Sequence, residues 1–131
     1  MWAELERAIQ TGAVIAYGAG LSDAWAAWLA SQLVTRELVV VVARDDVHAR
    51  EIEDDLRLFL GGERDATELD PVASLPAIDA SPYADLAPDR GCIVERVATL
   101  DRLTQPELRP RIVVTSTEAL ARRTVPAIEL A

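Results

Sequence analysis

One stretch limits the fold of this chain more than any other: residues 38–43 read Leu-Val-Val-Val-Val-Ala without a polar interruption. A strand with one solvated face alternates apolar and polar residues, whereas an unbroken apolar run is typical of a strand in a parallel sheet that helices cover on both faces. Residues 111–115, with Ile112, Val113 and Val114 at their centre, repeat the pattern. We therefore expect residues 38–43 to form a central strand, buried on both faces and flanked by strands at 13–17 and 111–115.

Helical and strand-like segments alternate along the 131 residues, a length that suits one domain. The predicted order is a helix at residues 2–10, a strand at 13–17, a helix after Ser22, the strand at 38–43, a helix ended by Gly61 and Gly62, a short strand at 72–75, a helix from Asp89 or Arg90, the strand at 111–115 and a helix from Thr117 to Arg123. This order predicts an α/β fold over residues 1–131, with a three-layer, open and mostly parallel sheet.

Helical periodicity predicts which side chains face the core. The expected inward residues are Trp25, Trp28, Leu29 and Leu33 in one helix, Ala49, Ile52, Leu56, Phe59 and Leu60 in the next, and Ile93, Val97, Leu100 and Leu103 in a third. Asp45 or Asp46 is expected to cap the helix that follows residues 38–43, and Ser116 the last helix. Glu53 and Arg57 are expected to pair across one turn on an exposed helix face.

The segment Gly18-Ala19-Gly20-Leu21-Ser22 lies between an apolar run and a helical stretch, where an ATPase carries its phosphate loop. In that motif a lysine reaches the phosphates and the following hydroxyl residue holds Mg²⁺. Here Leu21 occupies the lysine position, all 13 basic residues are arginine, and Ile15 replaces the first glycine. We interpret Gly18, Gly20, Leu21 and Ser22 as an ordinary tight turn or a degenerate phosphate loop, with Ser22 as a helix cap, and expect no nucleotide cofactor.

Composition and charge exclude several other functions. A net charge of −9 argues against strong nucleic-acid binding by the whole domain. The single Cys92 excludes an internal disulfide, and one cysteine with one histidine, His48, cannot build a structural zinc site. His48 lies off the apolar helix stripe and is expected on the surface, so we expect no catalytic residues and no metal. No apolar run is long enough for a membrane span, and no secretory leader is present, so a cytoplasmic location is expected.

Several segments resemble one protein family. Residues 75–83 read Leu-Pro-Ala-Ile-Asp-Ala-Ser-Pro-Tyr, residues 87–89 read Ala-Pro-Asp, and residues 93–100 read Ile-Val-Glu-Arg-Val-Ala-Thr-Leu. They resemble the bacterial transcription-repair coupling factor family, Mfd, whose pattern runs approximately F-P-x-W-[DE]-T-L-P-Y-D, then S-P, then I-x-x-E-R-L-x-T-L. Residues 54–60 and 112–123 are similar to further segments of that family, so the resemblance covers nearly the whole chain. Ile78 in place of tryptophan and Ser81 in place of leucine indicate a divergent member.

The resemblance implies a RecA-like lobe similar to the first lobe, domain 1a, of the damage-recognition helicase UvrB, a P-loop-NTPase-like fold whose phosphate loop has degenerated. It implies a non-catalytic scaffold in transcription-coupled nucleotide excision repair, within a protein that displaces stalled RNA polymerase. A UvrA-binding domain is expected after residue 131, with the chain a fragment of a larger protein. The expected partners are the other domains of that protein, UvrA through the adjacent domain, and RNA polymerase and DNA through distant domains that include the ATP-dependent translocase motor.

Two alternatives from other functional classes remain open. One is a working nucleotide-binding or helicase domain, which a lysine at position 21 would have supported. The other is a module that contacts the DNA backbone through residues at strand ends, for which the candidates are Arg44, Thr115, Ser116 and Thr117.

Overall fold

The computed structural model describes residues 7, 11, 22–32, 38–61, 69–78, 89–122 and 124. Within these ranges helices and strands alternate as predicted: α1 (Asp23–Gln32), β1 (Val39–Ala43), α2 (Asp46–Leu60), β2 (Val72–Leu75), α3 (Arg90–Thr104), β3 (Ile112–Ser116) and α4 (Thr117–Ala121). The predicted strand at 13–17, most of the first predicted helix and residues 79–88 lie outside the described residues. No described helix is long and apolar enough to cross a membrane.

The three described strands form one parallel sheet in the order β1-β3-β2. Val39 of β1 and Val72 of β2 both align with Ile112 of β3, and Val41 aligns with Val114. The α/β class and the parallel sheet are therefore confirmed, and this small sheet is compatible with a RecA-like fold. Because all three strands run the same way, their carboxyl ends meet at one edge.

Three helices begin at a capping side chain; the sequence predicts the caps Asp45 and Ser116, whereas at Asp89 it predicts only the start of a helix. The acceptors are Asp45 for His48 N at 2.9 Å, Asp89 for Gly91 N at 2.8 Å and Ser116 for Ala119 N at 3.1 Å. Each cap satisfies a backbone N–H that the first helical turn leaves without an intrahelical partner. Ser22 precedes α1, and its carbonyl accepts the first helical bond, from Ala26 N at 3.2 Å.

The apolar core lies between one face of the sheet and the helices α1 and α2. It is built from Ala27 and Ala30 of α1, Ala49, Ile52 and Leu56 of α2, and Ala43, Val72, Ile112 and Val114 of the sheet. The burial of Ala49, Ile52 and Leu56 confirms the inward face predicted for α2, although Phe59 is 45% exposed. In α1 the prediction is wrong for Trp25, which is 52% exposed, because the small residues Ala27 and Ala30 face the core instead.

β1 is buried on one face only, whereas the sequence predicts burial on both. Of its two predicted neighbours, β3 pairs with it, and the strand at 13–17 lies outside the described residues. Its side chains alternate: Val39 and Val41 pack against the core, whereas Val40 and Val42 are about half exposed, at 52% and 48%. The helices α1 and α2 cover only one face of β1, so its other face stays half exposed. β3, which lies between two described strands, is buried along its whole length.

The buried side of α3 also differs from the prediction. Arg96 and Thr99 are its buried residues, while Val97 is 42% exposed and Leu100 is only half-buried. Thr99 Oγ1 donates to the carbonyl of Ser74, in β2. β2 pairs with β3 alone among the described strands, and an edge strand leaves backbone groups that need partners. Polar side chains therefore face the strand where the periodicity predicts leucine and valine.

Candidate functional site

The candidate site lies at the carboxyl edge of the parallel sheet. In open α/β sheets this is where ligands bind. Arg44 and Asp45 follow β1, Pro76 follows β2, and Thr117 follows β3. The structure thus brings together the strand-end residues that the sequence indicates as candidates.

Asp46 joins all three strand ends. Its Oδ2 accepts a hydrogen bond from the backbone N–H of Ala77 at 2.9 Å, beyond β2. Its Oδ1 accepts a hydrogen bond from the hydroxyl of Ser116, at the end of β3. Because Asp45 caps α2, the carboxylate of Asp46 is available for this bridge. Both of its oxygens are therefore used within the protein.

The hydroxyl groups at the strand ends also bond internally. Thr115 is 1% exposed, and its Oγ1 donates to the carbonyl of Leu75 at 2.9 Å. Thr117 is exposed, and its Oγ1 donates to the carbonyl of Arg44 at 2.9 Å. These bonds hold the end of β3 to the ends of both neighbouring strands.

Arg96 is a buried cation that fastens α3 to this edge. The residue is 3% exposed, and its guanidinium donates to the carbonyl of Pro76 at 2.9 Å and to the carbonyl of Ala119 at 3.1 Å. Burial lowers the pKa of Arg96, and the charge of Asp46 opposes that shift. The sequence analysis did not single out Arg96 as a site residue; the signal was its place in the Glu-Arg-x-x-Thr segment of the family resemblance.

Arg44, Asp45 and His48 form a polar cluster beside this edge. The Arg44 guanidinium contacts the His48 ring and lies 3.3 Å from Asp45 Oδ2, while His48 Nδ1 lies 2.7 Å from Asp45 Oδ1. The hydrogen bond from the His48 backbone, followed by the contact with its ring, lowers the pKa of Asp45 from 3.8 to about 2. His48 is half-buried, which corrects the prediction that it is exposed.

A cleft of about 400 Å³ separates the start of α1 from this cluster, and its lining includes Ser22, Arg44 and His48. The end of the predicted loop and the predicted DNA-contacting arginine are thus neighbours. Gly18, Gly20 and Leu21 lie outside the described residues. Among the described residues, no group of three or more histidine, cysteine and acidic side chains is arranged to hold a metal ion.

Glu53 is a buried carboxylate on α2. It is 5% exposed, so it does not lie on the outer face predicted for it. The predicted partner is correct, because Arg57 Nη1 lies 3.5 Å from Glu53 Oε2, but Oε1 has no hydrogen-bond partner among the described residues. Burial raises the pKa of Glu53; a hydrogen bond with Ser74 and the charge of Arg57 oppose this shift, and the charges of Glu95 and Asp54 add to it.

We predict that Glu53→Gln removes a pH dependence of stability. The pKa of Glu53 is raised above its ordinary value of 4.5 in the folded protein, so the folded state binds more protons than the unfolded state between those two values. The parent's free energy of unfolding should fall as pH rises from 4.5 through the raised pKa, and the variant should lack this decrease.

Urea unfolding at a series of pH values measures this effect. Glu51→Gln is the control, because Glu51 is exposed and is not among the charges that shift the pKa of Glu53. A difference in unfolding free energy between parent and Glu53→Gln that stays constant across the pH window would contradict the prediction.

The sequence comparison identifies one relative. Over 92 residues, 70% of this chain, the sequence is 37% identical to a protein of Myxococcus xanthus named Transcription-repair-coupling factor. The matched part is 7% of that protein's length, so the chain spans only a small fraction of its curated relative. No protein-family model matches the chain, and no solved structure matches it. The match confirms the family relationship that residues 75–100 suggest.

Proposed function

We propose that this chain, which is related to the transcription-repair coupling factors, is a non-catalytic interaction lobe with a RecA-like fold. Its role would be to support the assembly of a repair complex rather than to bind or hydrolyse a nucleotide. The family resemblance supports a place in transcription-coupled nucleotide excision repair.

One observation carries this proposal: the polar groups at the carboxyl edge of the sheet bond to one another. The Asp46 carboxylate accepts hydrogen bonds from Ala77 N and from the Ser116 hydroxyl. The Thr115 hydroxyl donates to the Leu75 carbonyl. In a nucleotide-binding or helicase site at this edge, carboxylates and hydroxyls would be directed at Mg²⁺ and phosphates. Here the carboxylate and the hydroxyl groups bond to other groups of the protein at the strand ends, which favours a structural role for this edge.

The connections between strands support the three-layer, RecA-like form of the fold. One crossover runs from β1 through α2 to β2, and the next returns through α3 to β3 in the middle of the sheet. Such crossovers are almost always right-handed. Two right-handed connections that progress in opposite directions place their helices on opposite faces, which gives two helical layers around one sheet.

The proposed partners follow from the family resemblance. They are other domains of the same protein, UvrA through an adjacent domain, and RNA polymerase and DNA through more distant domains. The net charge of −9 supports protein partners for this lobe, because an acidic surface repels the phosphates of duplex DNA.

Nucleotide titration tests the proposal. We expect a fluorescent ATP analogue with Mg²⁺ to show no saturable binding at micromolar concentration, because Leu21 brings no charge to the phosphates and the edge carboxylate is engaged. Leu21→Lys, which restores the motif's cation, is the matched variant and should also fail to hydrolyse ATP. Micromolar binding by the parent chain would overturn the non-catalytic proposal.

A second candidate function, contact with the DNA backbone, rests on Arg44 alone. Its side chain is 71% exposed, whereas Thr115 and Ser116 are buried in internal bonds and the hydroxyl of Thr117 is engaged. A salt-dependent DNA-binding assay on the parent and Arg44→Ala would detect this function as an affinity that the substitution reduces.

A further inference from the structure

An aromatic surface lies on the outside of the helical pair α1 and α2. Trp25, Trp28 and Phe59, with Ala24, line a cleft of about 300 Å³. The rings of Trp25 and Trp28 meet edge to face, with centroids 5.1 Å apart and planes at 82°. Trp25 is 52% exposed and Phe59 is 45% exposed. We call these three residues the aromatic patch.

The patch follows from the close packing of α1 on α2. Ala27 and Ala30 are the residues that α1 buries in the core, where their small side chains let the helices approach. The two tryptophans therefore stay outside the core, although helical periodicity predicts them inside it. Large exposed aromatic side chains grouped around a cleft are typical of protein interaction sites.

Acidic side chains border the patch along α2. Glu51, Asp55 and Phe59 succeed one another at intervals of four residues and so share one side of the helix. Glu51 is exposed and Asp55 is half-buried. Arg57, the cation nearest to Phe59 along the helix, lies 3.1 Å from Asp70 and 3.7 Å from Asp54. The border of the patch is therefore negative.

We propose that the aromatic patch and its acidic border bind an amphipathic helix of a partner protein, one that carries apolar anchors flanked by arginine or lysine. Apolar side chains would fill the cleft between the rings, where buried aromatic residues supply most of the binding energy of an interface. Basic side chains would meet Glu51 and Asp55 and the exposed face of Trp25.

The same charges argue against a second copy of this chain as the molecule that binds the aromatic patch. A symmetric dimer through this face would bring one acidic border against another, and like charges across an interface cost binding energy. The docking surface goes beyond the proposed function, because it is separate from the carboxyl edge and does not depend on whether that edge binds a ligand.

Two synthetic helical peptides test the proposal. Both have a leucine face, and the flanking positions are arginine in one and glutamate in the other. Each peptide, labelled with fluorescein, is titrated with the full chain and followed by anisotropy. We expect saturable binding of the arginine peptide only, with an affinity that falls as salt is added.

Matched variants locate the contact. Trp25→Ala should weaken binding of the arginine peptide by roughly tenfold or more, and Glu51→Gln with Asp55→Asn should weaken it and reduce its salt dependence. Val94→Ala is the control, because Val94 is a 67% exposed apolar residue of α3, outside the patch. Circular dichroism checks folding, and Phe59→Ala replaces Trp25→Ala should that variant unfold.

Three results of the peptide titrations would overturn the proposal. They are equal binding of the two peptides, binding of neither, and binding of the arginine peptide that Trp25→Ala and Phe59→Ala leave unchanged. Dimerisation of the chain that Trp25→Ala abolishes would also overturn it, in favour of a second copy. None of these results would alter the outcome of the nucleotide titration, so the two proposals fail separately.

Discussion

Val114→Asp is expected to unfold most of the protein at room temperature. Val114 is fully buried in β3, between β1 and β2 and against the core that α1 and α2 cover. An aspartate there loses the packing of the valine and buries a charge among the apolar side chains that surround Val114 in the described core. The expected loss is several kcal/mol, out of a total that is roughly 5–15 kcal/mol for a domain.

Val40→Asp is the control, and it distinguishes the exposure of Val40 in the structure from the burial that the sequence predicts. The apolar run at 38–43 predicts that Val40 is buried, but the structure leaves it 52% exposed. A substitution on a half-exposed strand position should cost roughly 1 kcal/mol. Guanidinium chloride unfolding of both variants measures the difference, and equal losses in the two would refute the one-sided burial of β1.

Arg96→Ala is expected to be the second most damaging substitution, with a loss of roughly 3–5 kcal/mol. The guanidinium donates to the carbonyls of Pro76 and Ala119 at 2.9 and 3.1 Å, and the residue is 3% exposed. Truncation leaves both carbonyls without this donor and leaves a cavity between α3 and the sheet edge. The connection between α3, β2 and α4 should therefore loosen.

Two matched variants give this prediction its specificity. Arg96→Lys keeps the charge, but a lysine ammonium lacks the planar fork that reaches two acceptors, so an intermediate loss is expected. Arg90→Ala removes an exposed arginine at the start of the same helix and should be nearly neutral. Chemical unfolding of the three variants measures their order, and an Arg96→Ala protein as stable as Arg90→Ala would show that the bonds of Arg96 contribute little.

Much of the local structure of this protein was predictable from its sequence. The bounds of β2 and the starts of α2 and α3 agree with the predictions, and β3 differs from its predicted range by one residue. Asp45 and Ser116 cap helices where the sequence places caps. Segment-level matches around residues 75–100 also indicated the relationship to transcription-repair coupling factors that the M. xanthus protein confirms.

The candidate site was predictable only in part. Arg44, Thr115, Ser116 and Thr117 were placed at strand ends, and the structure brings those ends together. The hydrogen bonds of Asp46 with Ala77 and Ser116 and the two hydrogen bonds of Arg96 were not predictable. Each joins residues that are more than 20 positions apart or lie on different elements. Side-chain spacing along one helix carries no information on such acceptors.

By itself, then, the sequence determined where strands and helices form and where helices begin, since those properties depend on neighbours within a few residues. The tertiary structure decided which strand is buried on both faces and which face of each helix is buried. Residues 38–43 and 112–116 are similarly apolar, but only β3 has a strand on either side among the described residues. Likewise, Arg96 and Thr99 are buried in place of Val97, because carbonyls of β2, Pro76 and α4 needed donors there.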